Sequence, residues 1–281
     1  MPAVRDRRDR CPGATRPWPA ADGLLVRLRL IGGHVRSAQL EAVAAAAERY
    51  GDGHVHVTSR ANLQVRGLPG VDGHLDPAAL AALDATGLLP TRTHELVRNV
   101  MVSPQTGLAG GRADLRPVGR ELDALLCSDP RPARLPGRFL FALDDGRGDL
   151  RDRPCDLGLV ALDGETAQLR VGPAWGPVVG LRDAARTLTA LAVRFLDLRG
   201  DRPSAPWHVA ELGHPLADEA PPDPRLPPAA PPLSFGDVPG GRHVEVPPSG
   251  LDAVAVADLT AGTDHVVVTP WRGVLVPEGN R

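Results

Sequence analysis

The chain is 281 residues long and carries a formal charge of −2 at pH 7, from 32 basic and 34 acidic side chains. That length suits one large domain or two to three small ones, and the near-neutral balance gives no general attraction to nucleic acid or anionic lipid. Every basic residue is Arg, Ile occurs once, and there are 31 Gly and 30 Pro; this bias looks like GC-rich coding, so position informs more than abundance.

The opening, with several arginines but no apolar stretch behind them, does not read as a secretory signal, and residues 1–20 are expected to form a loose tail. No segment approaches the roughly 18–20 apolar residues of a membrane helix. Cys11, Cys127 and Cys155 are odd in number and match no zinc or cluster spacing. Reduced thiols in a cytoplasmic protein are the expectation.

Leu25–Leu30 reads as a strand with Arg27 and Arg29 on one face and Val26, Leu28 and Leu30 on the other. A helix follows, with Leu40, Val43, Ala44 and Ala47 at i, i+3, i+4, i+7 spacing. His54 to Gly67 then alternates with period 2, as one strand or a strand pair. Its even positions are His54, His56, Thr58, Arg60, Asn62, Gln64 and Arg66, while the odd ones are mostly apolar. A solvated outer face is the ordinary fate of such a pattern, but this one holds no Asp or Glu. If the two strands pair, Arg27, Arg29, Arg60 and Arg66 share a surface suited to an acidic ligand, because the planar guanidinium grips a carboxylate through two hydrogen bonds.

The middle of the chain predicts an α/β stretch. A helical run over Asp76–Ala85 precedes a strand at Leu96–Ser103 and a helix over Asp114–Cys127. Strands follow at Arg138–Leu143, Leu157–Leu162 and Gln168–Gly172, the last two joined by a turn at Asp163–Gly164. The acidic run from Asp144 to Asp149 lacks the spacing of a calcium loop and reads as a solvated turn. A long helix over Leu181–Leu198 closes the stretch, and the Pro-rich segment from Arg202 to Leu233 reads as an extended linker.

A repeat spans the two ends. Gly32–Pro69 and Gly240–Pro277 each open with a glycine pair, continue into an Ala/Val-rich helix, then give HVxVT, an Arg and an apolar strand. In the second copy Leu251, Val254, Ala255 and Leu259 form the expected buried face. Each copy exposes one sheet face alone, so packing two together closes a core.

Six motifs in order, DRCPG, LLVRLRLIGG, HVTSRANLQVRGLP, LVRNVMVSP, LPGRFLFALDDGRGD and VVVTPWRGVLVP, make the chain resemble precorrin-3B synthases, within the nitrite and sulfite reductase superfamily, from Asp9 onward. The resemblance implies an α+β fold in which two ferredoxin-like half-domains flank an α/β domain: a tail at 1–20, half-domains at 21–75 and 235–281, an α/β catalytic-type domain at 76–200 and a linker at 201–234. It implies tetrapyrrole-binding roles for Arg27, Arg29, Thr58, Arg60, Gln64, Arg66, Arg98 and Arg138. Arg138 and Leu140 stand where sirohaem reductases carry a lysine pair for the inorganic oxyanion, and His56 where they place another arginine, which favours the synthase. The function implied is that of an oxidoreductase of aerobic cobalamin biosynthesis binding precorrin-3A. The alternatives are a non-catalytic tetrapyrrole-binding module, or subunit, working with a separate cluster-bearing chain, and a fragment of a sirohaem-type nitrite or sulfite reductase. The family's cofactors are a 4Fe–4S cluster and non-haem iron, or sirohaem in the reductases. Three cysteines cannot supply four thiolates, so none of these is expected to be bound by this chain alone, the family's cluster domain lying beyond the second half-domain. His94 with Glu95, and His208 with Glu211, are the weaker candidates for an iron site.

Overall fold

A computed structural model describes residues 11–202 and 204–278. The first ten residues of the expected tail lie outside the described residues. In chain order the strands and helices are β1 (Trp18–Ala20), β2 (Gly23–Leu28), β3 (His34–Arg36), α1 (Ser37–Tyr50), β4 (His56–Val57), β5 (Leu63–Leu68), β6 (Gly70–Val71), β7 (His74–Leu75) and α2 (Pro77–Ala85). There follow β8 (Val100–Val102), α3 (Arg116–Ser128), β9 (Phe141–Asp144), β10 (Leu157–Ala161), β11 (Thr166–Val171), β12 (Ala174–Gly180) and α4 (Leu181–Arg199). The last are β13 (Gly236–Val238), β14 (Gly241–Glu245), α5 (Ala253–Thr260), β15 (His265–Val268) and β16 (Gly273–Pro277). Among the described residues these form two compact units, one built from 11–96 with 233–278, the other from the described part of 97–232.

The first of these units is the duplication. One sheet has the order β1-β2-β5-β4, and the other β13-β14-β16-β15 with β3 added at its edge. Strand for strand the two are the same, with α1 and α5 at equivalent places. Their buried faces, including Val26, Leu28, Leu63 and Val65 from one copy and Val266, Val268 and Val274 from the other, form a single core with Leu40, Val43 and Ala47 of α1. The turn between the last two strands repeats its central hydrogen bonds, Thr58 N to Asn62 O and Thr269 N to Gly273 O among them. Thr58 and Thr269 each accept, at Oγ1, the N–H of the residue four places on, Asn62 or Gly273, at 3.2 Å. Each turn passes through a left-handed residue that is not glycine, Ala61 (φ 54°) and Arg272 (φ 60°).

The structure shifts the repeat from its expected alignment. The Gly240–Gly241 pair opens β14, whose counterpart by register is β2 and not the strand after Gly32–Gly33. That strand, β3, instead pairs with β15 of the other copy, Val35 opposite Val266. The helical phase also differs: Val254 is 70% exposed, and α5 buries Val256, Leu259 and Thr260. Asp252 caps this helix by accepting the Ala255 N–H, which sets the start at Ala253, two residues after Leu251 where the apolar spacing began.

Helix α2 also departs from the expected boundary. Asp76 caps it through the Ala78 and Ala79 N–H groups and Pro77 occupies its first turn. It buries Ala79 and Leu83 in the same core as Leu40, so residues 76–96 belong with the first half of the duplication and not with the middle of the chain. Residues 11–20 are likewise no tail, since β1 pairs with β2, Trp18 opposite Leu25.

The second unit has one sheet of order β12-β11-β10-β9-β8. Strands β8, β9 and β10 run parallel, and β11 and β12 return antiparallel. Strand β12 was missed because Gly176 and Pro177 interrupt its pattern. Helices α3 and α4 pack on each other. Phe139 lies against Phe141 and against Phe195 of α4, with ring centroids 5.3 and 5.0 Å apart. Each such buried side chain contributes about 1.5–3 kcal/mol. The Pro-rich segment is a strap on this unit rather than a free linker. Gln168 donates to Pro221 O at 2.8 Å and accepts from Asp223 N at 2.8 Å, and Ala230 N donates to Gly148 O at 2.9 Å. Proline lacks an N–H but keeps its carbonyl, so such a segment can be held by donors from the sheet beside it.

Candidate anion-binding face

The register of the first sheet sets Arg27, Gln64 and His56 in a row, because Gln64 of β5 stands opposite both Arg27 of β2 and His56 of β4. Arg27 is half-buried, and its Nη2 donates weakly to Gln64 Oε1 at 3.4 Å. Its Nε is buried with no hydrogen-bond partner among the described residues. Burial, followed by the nearby charge of Arg60, pushes the guanidinium below its usual range. Asn62 adds a second unmet donor. Its Oδ1 accepts the Leu30 N–H at 2.9 Å, while its buried Nδ2 has no partner among the described residues. Two buried donors without acceptors, with Arg60 nearby, make this a place where an anion lowers the energy. Asn62 lay within the alternating pattern but was not singled out, because only the turn geometry separates it from its neighbours.

The four arginines do not share one open surface as expected. Arg29 is 3% exposed and donates Nη1 to Pro12 O at 3.2 Å beneath the Cys11–Thr15 segment. Arg66 forms a two-pronged pair with Asp22, at 3.0 and 3.3 Å, and each partner raises or lowers the other in the sense that keeps both charged. Asp52 lies 2.7 Å from His56 Nε2. Carboxylates absent from the strand are thus brought to it by adjoining loops, which a period-2 pattern cannot register. Arg27 and Arg60, with Thr58 fixing the turn and Gln64 between the strands, remain as the candidate face.

Arg98 and Arg138 lie in the other unit. Arg98, 6% exposed, sets Nε and Nη2 on Asp123 at 2.6 and 2.8 Å. Arg138 is exposed, its guanidinium 5.6 Å from the centre of the Trp207 ring.

The acidic run after β9 is buried and not a solvated turn. Asp144 accepts the N–H groups of Gly146, Gly148 and Leu150, each at 2.9 Å. Arg147 spans Asp145, Gln105 and the Ala109 carbonyl at 2.7–2.9 Å. Ser103 Oγ donates to Asp149 at 2.6 Å. Burial, and then the charge of Asp144, pushes Asp149 up to about 7. This network ties together the loops after β8 and β9.

The weaker iron candidates are occupied by ordinary contacts. His94 Nδ1 meets the hydroxyls of Thr91 and Thr93, and Glu95 accepts the Ala14 and Thr15 N–H groups. His208 lies 3.2 Å from Asp156, and Glu211 accepts the Trp207 N–H. Among the described residues no three His, Cys, Asp or Glu are grouped to hold a metal. None of the three cysteines is in a disulfide, and burial raises the Cys127 thiol and pushes Cys155 up to about 11. Raised thiols at Cys127 and Cys155, with no group of three metal-binding side chains among the described residues, do not fit an iron–sulfur cluster, which takes thiolates around one cage. No helix among the described residues is long and apolar enough to cross a membrane.

The family model described as the nitrite/sulfite reductase ferredoxin-like half domain matches residues 19–81. The half-domain's fold partner, 233–278, completes the duplication seen in the core. A precorrin-3B synthase from a Sinorhizobium species is 33% identical over 146 residues, covering 50% of this chain and 29% of that protein. A ferredoxin–nitrite reductase from Synechococcus elongatus is 34% identical over 130 residues, covering 44% of this chain and 25% of that protein. The NirA protein of Mycobacterium tuberculosis shares the fold, with a TM-score of 0.69 at 21% identity over 92% of this chain and 54% of that one. The chain therefore has a mixed α+β fold shared with NirA, and its matches span about a quarter to a half of these relatives' lengths.

Proposed function

We propose that this chain binds a carboxylate-rich tetrapyrrole of the precorrin-3A type through Arg27 and Arg60, as part of a precorrin-3B synthase-like oxidoreductase of cobalamin biosynthesis. The observation that carries this reading is the buried, partnerless Arg27 Nε beside a second arginine and the unmet Asn62 amide. The similarity to a named precorrin-3B synthase favours this substrate class. So does the replacement of the expected lysine pair by Arg138 and Leu140. Each desolvated guanidinium–carboxylate contact contributes roughly 1.5–3 kcal/mol, and the unmet donors of the half-domain gain acceptors that the fold does not provide.

In this reading the chain's residues bind and orient the macrocycle by its acid arms. Electrons from a 4Fe–4S cluster would come from a separate or further domain, since the cysteines here do not fit one, and the chain would work in the cytoplasm with that cluster-bearing partner. The test is equilibrium binding of uroporphyrin, a stable octacarboxylate, followed by quenching of its fluorescence. Arg27→Ala and Arg60→Ala should each weaken binding by about 10- to 150-fold. Unchanged affinity in both variants would return the face to ordinary polar surface.

A further inference from the structure

The duplicated turn places a different chemistry on the second copy. By register, Arg27 corresponds to His243 and Arg29 to Glu245. By the matching turns, Arg60 corresponds to Trp271. The cationic row of the first copy is thereby replaced by rings. The Phe235 ring lies 4.6 Å from that of His243, tilted by 33°, and Trp271 meets His243 edge-on at 6.4 Å. His243 is 1% exposed and bridges Ser234 O and Thr269 Oγ1, at 3.1 and 2.9 Å, which fixes its ring beneath the other two.

A cavity of about 160 Å³ opens beside these rings, lined by His56, Phe235, Glu245, Trp271 and Arg272, with Pro247 at its wall. Phe235 remains 45% exposed. Among the described residues, neither the Glu245 carboxylate nor the Arg272 guanidinium makes a hydrogen bond or ion pair, although both line the same small space. Arg272 also holds a left-handed backbone, φ 60°. That conformation costs a non-glycine residue about 1–2 kcal/mol, as it does at Ala61 in the first copy. One acidic and one basic side chain, each without a partner among the described residues, thus border a space walled by two aromatic rings, a lining that suits a ligand carrying both charges.

We propose that this cavity is a second binding site, which takes a small zwitterionic aromatic molecule with its ring against Trp271 and Phe235, its carboxylate on Arg272 and its ammonium on Glu245. The volume lies below the roughly 300 Å³ at which pockets begin to hold drug-sized ligands, so a single substituted ring fits and a four-ring macrocycle does not. The opposed charges exclude a plain anion, because Glu245 repels it, and a plain cation, because Arg272 does. Neither Arg27 nor Arg60 lines the cavity, so the proposal stands whether or not they hold a tetrapyrrole.

The experiment is calorimetric titration of the full chain with L-phenylalanine, phenylacetate and phenethylamine. L-Phenylalanine should bind about tenfold or more tightly than either half-charged analogue, the worth of one charge-assisted contact. Arg272→Gly should erase its advantage over phenethylamine, and Glu245→Gln its advantage over phenylacetate. Trp271→Ala should weaken all three. Arg272→Gly suits the left-handed turn, so its melting temperature should equal or exceed that of the parent, which separates lost binding from lost folding. Absence of saturable binding at millimolar L-phenylalanine, an equal affinity for the three ligands, or binding unaffected by Arg272→Gly would each overturn the proposal.

Discussion

Arg98→Ala distinguishes a structural arginine from a ligand-binding one. The Arg98 fork sits on Asp123 of α3 with both prongs under 3 Å, and the arginine is 6% exposed. Removing one partner of a buried pair costs about 3–5 kcal/mol when the other charge stays buried. The Asp123 side chain is 21% exposed, so water can reach part of the stranded carboxylate, and we expect about 2–3 kcal/mol. Arg98→Ala with Asp123→Ala together should cost less than the sum of the two single changes, with a coupling of about 1–3 kcal/mol. Urea unfolding followed by circular dichroism, analysed with separate transitions for the two units, measures this. A stability within about 0.5 kcal/mol of the parent, the scatter of ordinary surface changes, combined with lost uroporphyrin affinity would show that Arg98 serves the ligand and that the Asp123 contact is incidental.

Two further outcomes follow from the buried networks. Asp149 has its folded value raised from 3.8 to about 7, so its neutral form is the one the fold favours. The associated stability is complete below the unfolded value and is lost as pH rises through about 7, up to about 4 kcal/mol at 1.36 kcal/mol per unit and less once shared with Asp144. Asp149→Asn should therefore gain stability over the parent at pH 8 but not at pH 4 in parallel urea titrations; an equal difference at both pH values would contradict the burial argument. Gly33→Ala should destabilise the duplicated unit by about 2–4 kcal/mol, because φ is 74° and a Cβ there would stand 1.9 Å from the Val268 carbonyl oxygen. A melting temperature equal to the parent's would show that the approach of β15 to this loop is not as close as described.

The duplication was legible because HVxVT and the residues after it encode a turn whose hydrogen bonds involve the threonine hydroxyl, and that signal survives when side chains change. Its starting point was misread for a physical reason. Glycine pairs mark any tight approach, and Gly32–Gly33 serves a crossing to the other copy's sheet while Gly240–Gly241 opens a strand. The alternating polar face was also legible, and its row of Arg27, Gln64 and His56 stands in register. Which arginines are engaged elsewhere was not, since Asp22 reaches Arg66 and Pro12 reaches Arg29 through loops. The buried role of the Asp144–Asp149 run escaped for the same reason. Its backbone donors come from the run itself, but its burial comes from Ser103, Gln105 and Ala109, some 40 residues away in sequence.

Selectivity by carboxylate count tests the tetrapyrrole claim most directly. The dissociation constants of uroporphyrin, with eight carboxylates, and coproporphyrin, with four, should be compared on the parent chain and on the Arg27→Ala, Arg60→Ala double variant at one ionic strength. The account predicts that the parent prefers uroporphyrin by about tenfold or more, the worth of one added guanidinium–carboxylate contact, and that the double variant loses this preference. A preference that survives intact in the double variant would contradict it.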